Sequence, residues 1–88
     1  MTYFVYMLIG KKGSKYSTYV GYAQNIKNRL LKHNTNKGAK YTRGGKWRII
    51  FKKKFFNKNK AMSYEYHFKK NKKLRNLIKK RSLKKCFH

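Results

Sequence analysis

Glu65 is the only acidic side chain in a chain of 88 residues that carries 26 Lys and Arg. On a helical wheel it falls at the centre of the arc formed by Ala61, Met62, Tyr64 and Phe68, so the single acid is expected to face inward. Burying an unpaired carboxylate is costly, and such a group is normally held by a cation, a metal or several donors. Two readings stand: an ion pair with one of the many basic residues, or a ligand to a hard divalent cation. Mg²⁺ (or Mn²⁺) takes oxygen donors, keeps most of its waters, and can be held through one or two carboxylates when a substrate phosphate supplies the rest. One carboxylate cannot build a two-metal cluster, which excludes that whole class of hydrolytic chemistry.

Arg29 and His33 stand four residues apart. In a helix they lie on neighbouring turns of one side, flanking Ile26 and Leu30, and both can reach one site. An arginine suits bidentate contact with a phosphate and can offset negative charge building on a phosphorane-like transition state. His33 could orient a water or a phenol. Each also has a plain reading, Arg29 as one basic residue among many and His33 as a helix-face residue bonded to backbone. Tyr6 and Tyr19 place phenols on two adjacent predicted strands, although strands of an aromatic-rich domain contain tyrosine for packing alone. Cys86 is the only cysteine, so no internal disulfide is available, and its neighbour His88 gives a bare C-x-H that is not metal-ligand spacing.

The elements that must position these groups can be read from periodicity. Tyr3 to Ile9 is an uninterrupted apolar and aromatic run of strand length, which predicts a central strand covered on both faces. A turn cluster, Gly10 to Ser14, leads to a second strand at Tyr16 to Tyr22, so the pair reads as an antiparallel hairpin. Asn25 can cap a helix over about residues 25 to 35 with Ile26, Leu30 and His33 on one face, and Gly38 lies beyond its end. Asn34 to Lys46 is glycine-rich, basic and aperiodic, hence a loop. Trp47 to Phe56 predicts a third strand, and Asn57 or Asn59 can cap a second helix ending near Lys70. A Lys-rich third helix, about residues 72 to 86, spaces Leu74, Leu77, Ile78 and Leu83 for one face. The expected fold is α+β: one domain over residues 1–88, with a small three-stranded antiparallel sheet flanked by helices in the order β-β-α-β-α-α.

A formal net charge of +25 would strain a compact state by self-repulsion unless a polyanion neutralises it, which makes a phosphate backbone the expected partner. An AT-rich coding bias could raise Lys, yet would not explain the missing acids. No apolar run approaches the roughly 20 residues of a membrane span and no signal peptide is visible, so the chain reads as soluble and intracellular, cytoplasmic or nuclear, and not secreted.

The pattern becomes specific when these positions are taken together. Phe4-Val5-Tyr6, a dozen residues, Tyr19-Val20-Gly21, an Arg ten residues after the second Tyr, a His four after that, and a Glu in the helix after the third strand resemble the GIY-YIG nuclease superfamily. The resemblance spans about residues 3 to 70 and is strongest to small stand-alone members and to the catalytic domain of structure-specific endonucleases that cut branched DNA. The stretch Lys37-Gly38-Ala39-Lys40-Tyr41-Thr42-Arg43 is similar to a loop of those enzymes. The resemblance implies a divalent-metal-dependent DNA endonuclease, acting in repair or recombination on branched or flapped DNA. Tyr6, Tyr19, Arg29, His33 and Glu65 would be its catalytic residues, with Glu65 on Mg²⁺ and Lys37, Lys40, Tyr41 and Arg43 on nucleic acid. Gly21 matches the motif glycine, where a missing side chain allows close approach. Phe4 replaces the first motif glycine, as in the subfamily. The zinc-binding module of the branched-DNA enzymes has no counterpart in the sequence, so substrate choice stays open, as do the oligomeric state and which tyrosine is the base. A phenol serving as the base needs the field of the metal, Arg29 and nearby lysines to reach its phenolate form, and the rival reading is a non-catalytic basic nucleic-acid-binding or architectural protein.

Overall fold

The computed structural model describes residues 1–86 and holds a three-stranded antiparallel sheet with three helices, in the expected order β-β-α-β-α-α. Strands β1 (Tyr3–Lys12), β2 (Lys15–Ala23) and β3 (Lys46–Phe55) lie in the order β2-β1-β3, so the apolar run is the central strand. Its residues Val5 to Ile9 are buried on both faces. The hairpin is tighter than the sequence suggested: Gly10 and Lys11 belong to the strand, and only Gly13 and Ser14 make the turn. Gly13 has φ +64, the positive value a two-residue hairpin turn needs and a residue with Cβ adopts at a cost.

Helix α1 (Ile26–Asn34) starts where Asn25 accepts a hydrogen bond from the backbone N–H of Asn28 at 3.1 Å. Helix α2 (Lys58–Lys70) is capped by Asn57 rather than Asn59, and α3 (Lys72–Cys86) follows after Asn71, whose side chain accepts from Leu74 N–H at 3.2 Å. Each cap satisfies one of the amide groups that a helix start leaves without a partner. The helices divide the sheet's two faces. One carries Tyr6, Leu8, Ala23 and Trp47, with Ile26 and Leu30 of α1 packed on them. The other carries Val5, Met7 and Val20 under Ala61 and Phe68 of α2, with Leu74 and Ile78 of α3 beside them.

Two expected apolar stripes are narrower than their spacing implied. In α2 the side facing the sheet centres on Ala61, Tyr64 and Phe68, leaving Met62 44% exposed and Glu65 at the margin instead of the middle. In α3 Leu77 is likewise exposed, because only Leu74 and Ile78 reach the core. A helix packed on a sheet buries only the stripe that faces it, and positions outside that stripe stay in water. No helix among the described residues is long and apolar enough to cross a membrane. His88, and with it the Cys86 and His88 pairing, lies outside the described residues.

Candidate active site

Tyr6 and Gly21 sit directly opposite each other on β1 and β2. That pairing explains the glycine. A Cβ at position 21 would fall 2.7 Å from the Tyr6 hydroxyl and 2.9 Å from its Cζ, so the phenol lies where a side chain would otherwise be. The close approach allowed by Gly21 is made by the tyrosine itself. Tyr19 stands on the same face, with its ring centroid 6.5 Å from that of Tyr6 and 5.0 Å from His33.

His33 is 1% exposed, the single buried residue of α1. Its two ring nitrogens are both engaged: Nε2 is 2.9 Å from the Tyr6 hydroxyl and Nδ1 is 2.8 Å from Oγ1 of Thr42. A helix-face histidine bonded to backbone was the plain expectation, and the side chain of a distant strand takes that place. Arg29 lies one turn earlier on an exposed part of the helix, and its charge acts to lower the pKa of both Tyr6 and Tyr19. It also lines a cleft of about 260 Å³ with Tyr3, Tyr22, Ala23, Gln24 and Lys58.

Glu65 approaches from α2, on the opposite face of the sheet. Its negative charge acts to raise the pKa of both Tyr6 and Tyr19. Lys69 is 3.8 Å away and half-exposed, so the ion pair is one turn of helix in high dielectric and worth little. The Glu65 side chain is 18% exposed, enough to bind a ligand from solvent. Among the described residues no group of three or more His, Cys, Asp or Glu could hold a metal. A closed zinc site does not fit that donor set. A mostly hydrated Mg²⁺ does, since Glu65 would offer one carboxylate oxygen donor and phosphate and water could provide the others.

The loop between α1 and β3 folds over the tyrosines. Its 3₁₀ turn, Lys40–Thr42, lays Tyr41 on Tyr19, with ring centroids 6.0 Å apart and planes 26° from parallel. Tyr41 is nevertheless 51% exposed, and Lys37, Lys40 and Arg43 are exposed around it. The loop is fastened at its far end by Asn34, whose side chain accepts from Trp47 N–H at 2.5 Å and donates to Trp47 O at 3.0 Å. The Trp47 indole N–H donates to Thr42 O at 2.8 Å. Sequence reading did not single out Asn34 or Thr42. A lone hydroxyl residue in an aperiodic basic loop carries no sign that it will be buried.

Burial sets the electrostatics. Desolvation pushes the Tyr6 phenol well above its ordinary range; Tyr19 and Glu65 add to that rise, while Arg29 opposes it. Tyr19 is raised for the same leading reason, again opposed by Arg29. Arg29 acts in the expected direction on both tyrosines, and loss of water outweighs it. His33 is lowered, first by desolvation and then by the charge of Arg29, so the neutral imidazole is favoured.

A strand pair carrying two tyrosines, a helix carrying arginine and histidine, and a glutamate on the following helix define the class of fold and site. The chain belongs to the GIY-YIG catalytic domain family, whose model matches residues 2–80. Its relatives include a UPF0213 protein of Oceanobacillus iheyensis, 52% identical over 54 residues, a match covering 60% of this chain and 63% of that one. A UPF0213 protein of Clostridium perfringens is 41% identical over 85 residues, covering 92% of this chain and 87% of its own. The solution NMR structure of a UPF0213 protein from Bacillus halodurans is 39% identical, covers 90% of this chain and 84% of that one, and superposes with a TM-score of 0.52.

Proposed function

We propose that this chain is a Mg²⁺-dependent DNA endonuclease that hydrolyses phosphodiester bonds, with branched or flapped DNA as its substrate class. The observation that carries the reading is the contact between Tyr6 and a buried, neutral-favouring His33. A phenol with a raised pKa is a poor store of phenolate, but it can pass a proton on. In this reading the attacking water gives its proton to the Tyr6 oxygen as the Tyr6 proton moves to His33 Nε2. No free phenolate has to accumulate, and the imidazole ends as the cation. Arg29 meets charge developing on the phosphate oxygens, a role suited to its fork of donors. Glu65 would hold the metal, which supplies positive charge to the phosphate and the leaving oxygen. Tyr19 packs against His33, and Lys37, Lys40, Tyr41 and Arg43 would receive the DNA strand beside it.

Labelled linear, nicked, flap and four-way-junction DNAs, each incubated with Mg²⁺ and with EDTA, test this directly. Cleavage that needs Mg²⁺ and favours the branched forms is the expected result. Binding of all four without any cleavage would turn the reading toward a basic scaffold protein.

A further inference from the structure

We propose that Thr42 is a positioning residue, holding His33 in the one neutral tautomer that can take a proton from Tyr6. Thr42 is fully buried in a loop whose neighbours Tyr41 and Arg43 are exposed. Its hydroxyl donates to the Ala39 carbonyl at 2.8 Å and lies 2.8 Å from His33 Nδ1. A hydroxyl has one proton to give. With that proton on Ala39, Oγ1 can only accept from the ring, so Nδ1 carries the hydrogen. A neutral imidazole has a single N–H, which leaves Nε2 bare and facing the Tyr6 hydroxyl at 2.9 Å.

The Ala39 end fixes the direction of this chain, because a carbonyl oxygen accepts and cannot donate. From Tyr6 through His33 and Thr42 to Ala39, each O–H or N–H then donates to the next acceptor along the chain. His33 is almost wholly shielded from solvent, and Gly38 passes so near its Nδ1 edge that a Cβ there would come within 2.6 Å of it. When the proton arrives on Nε2, one O–H bond of Tyr6 breaks and one N–H bond forms. Thr42 goes on accepting from Nδ1, now that of a cation. Ordering one ring nitrogen through the bond made by the other is how buried histidines are generally set.

The catalytic part of this inference rests on Tyr6 as the base, whereas the tautomer can be read with no substrate present. Nitrogen-15 NMR of the histidine side chains, recorded at a pH above the ordinary histidine range, should show His33 with Nδ1 protonated and Nε2 bare. Thr42→Val keeps the shape and removes the acceptor, and it should lose that single-tautomer signature. Its single-turnover cleavage should fall by about 10² or more, the scale of a misplaced general base, with DNA binding unchanged. Thr42→Ser should restore both. A wild-type ring protonated on Nε2 would overturn the proposal, as would a folded Thr42→Val protein with the wild-type tautomer and rate. The expected ring in a chain that cuts no DNA would support the Thr42 assignment and count against the reading of function.

Discussion

At Arg29, charge and shape can be separated by one substitution. Arg29→Lys keeps the cation and loses the planar fork. If the fork braces the scissile phosphate, single-turnover cleavage should slow by about 10² to 10³, the cost of removing a preorganised donor, while DNA binding barely moves against so many other cations. A change below about threefold would return Arg29 to the solvated basic surface. Glu65→Gln should abolish Mg²⁺-dependent cleavage and leave DNA binding nearly intact, and full activity in that variant would remove Glu65 from the metal. The buried titrating pair also predicts a pH profile of stability. The pKa of His33 is lowered from 6.5, so as pH falls below that value the unfolded chain takes up the proton first and stability is lost. The pKa of Tyr6 is raised from 10.0, so its contribution is complete below that pH and is lost as pH rises through it. Thermal midpoints measured across pH should show a plateau between the two, and Tyr6→Phe should shrink the alkaline fall. An identical alkaline limb in Tyr6→Phe would show that the phenol is not held protonated by the fold.

At the scale of elements, the pairing of β1 with β2 carries the site, and Gly21 is where it can be strained. Gly21→Ala would drive a methyl into the Tyr6 hydroxyl and Cζ, neither of which can swing into open space within a buried face. The expected cost is about 1 to 3 kcal/mol in urea unfolding, as for other overpacked interiors, together with a cleavage defect that persists under conditions where the variant is fully folded. Wild-type stability would mean the phenol has more freedom than its contacts indicate. Much of this arrangement was legible beforehand. The apolar run from Tyr3 to Ile9 announced a central strand, and Asn25 and the pair Asn57 and Asn59 announced helix starts, the structure taking Asn57, because caps and periodicity are local properties. Tyr6, Tyr19, Arg29, His33 and Glu65 could be named as a set only through the resemblance to the GIY-YIG superfamily, since each taken alone had a plain reading. What could not be read were matters of distance between separate segments: the Gly38 backbone on the His33 ring, Thr42 closing the loop, Ile50 left over where β3 slips against β1, and Leu77 and Met62 turned to water.

For the whole molecule, charge is the governing quantity. A formal net charge of +25 over 88 residues should make DNA binding collapse with added salt, since each neutralised phosphate contributes a slope of about −0.9 to log K against log salt on duplex DNA. An affinity that changes less than about tenfold between roughly 50 and 200 mM salt would rule out extensive backbone contact. The same lysines guard the open side of the sheet. No further strand pairs with β3 among the described residues, and its register skips Ile50 between Met7 and Leu8. Beyond that bulge stand Lys52, Lys53 and Lys54, all exposed, with Lys53 lying over the Tyr64 ring and Lys54 over Phe56. A free strand edge is a template for stacking copies of a protein into aggregates, and a bulge followed by lysines is a common way to prevent it. Here the protection is mostly electrostatic, so it is conditional. A polyanion that neutralises the lysines leaves only the bulge to keep neighbouring sheets from joining, which ties the colloidal behaviour of this chain to the ratio of protein to nucleic acid around it.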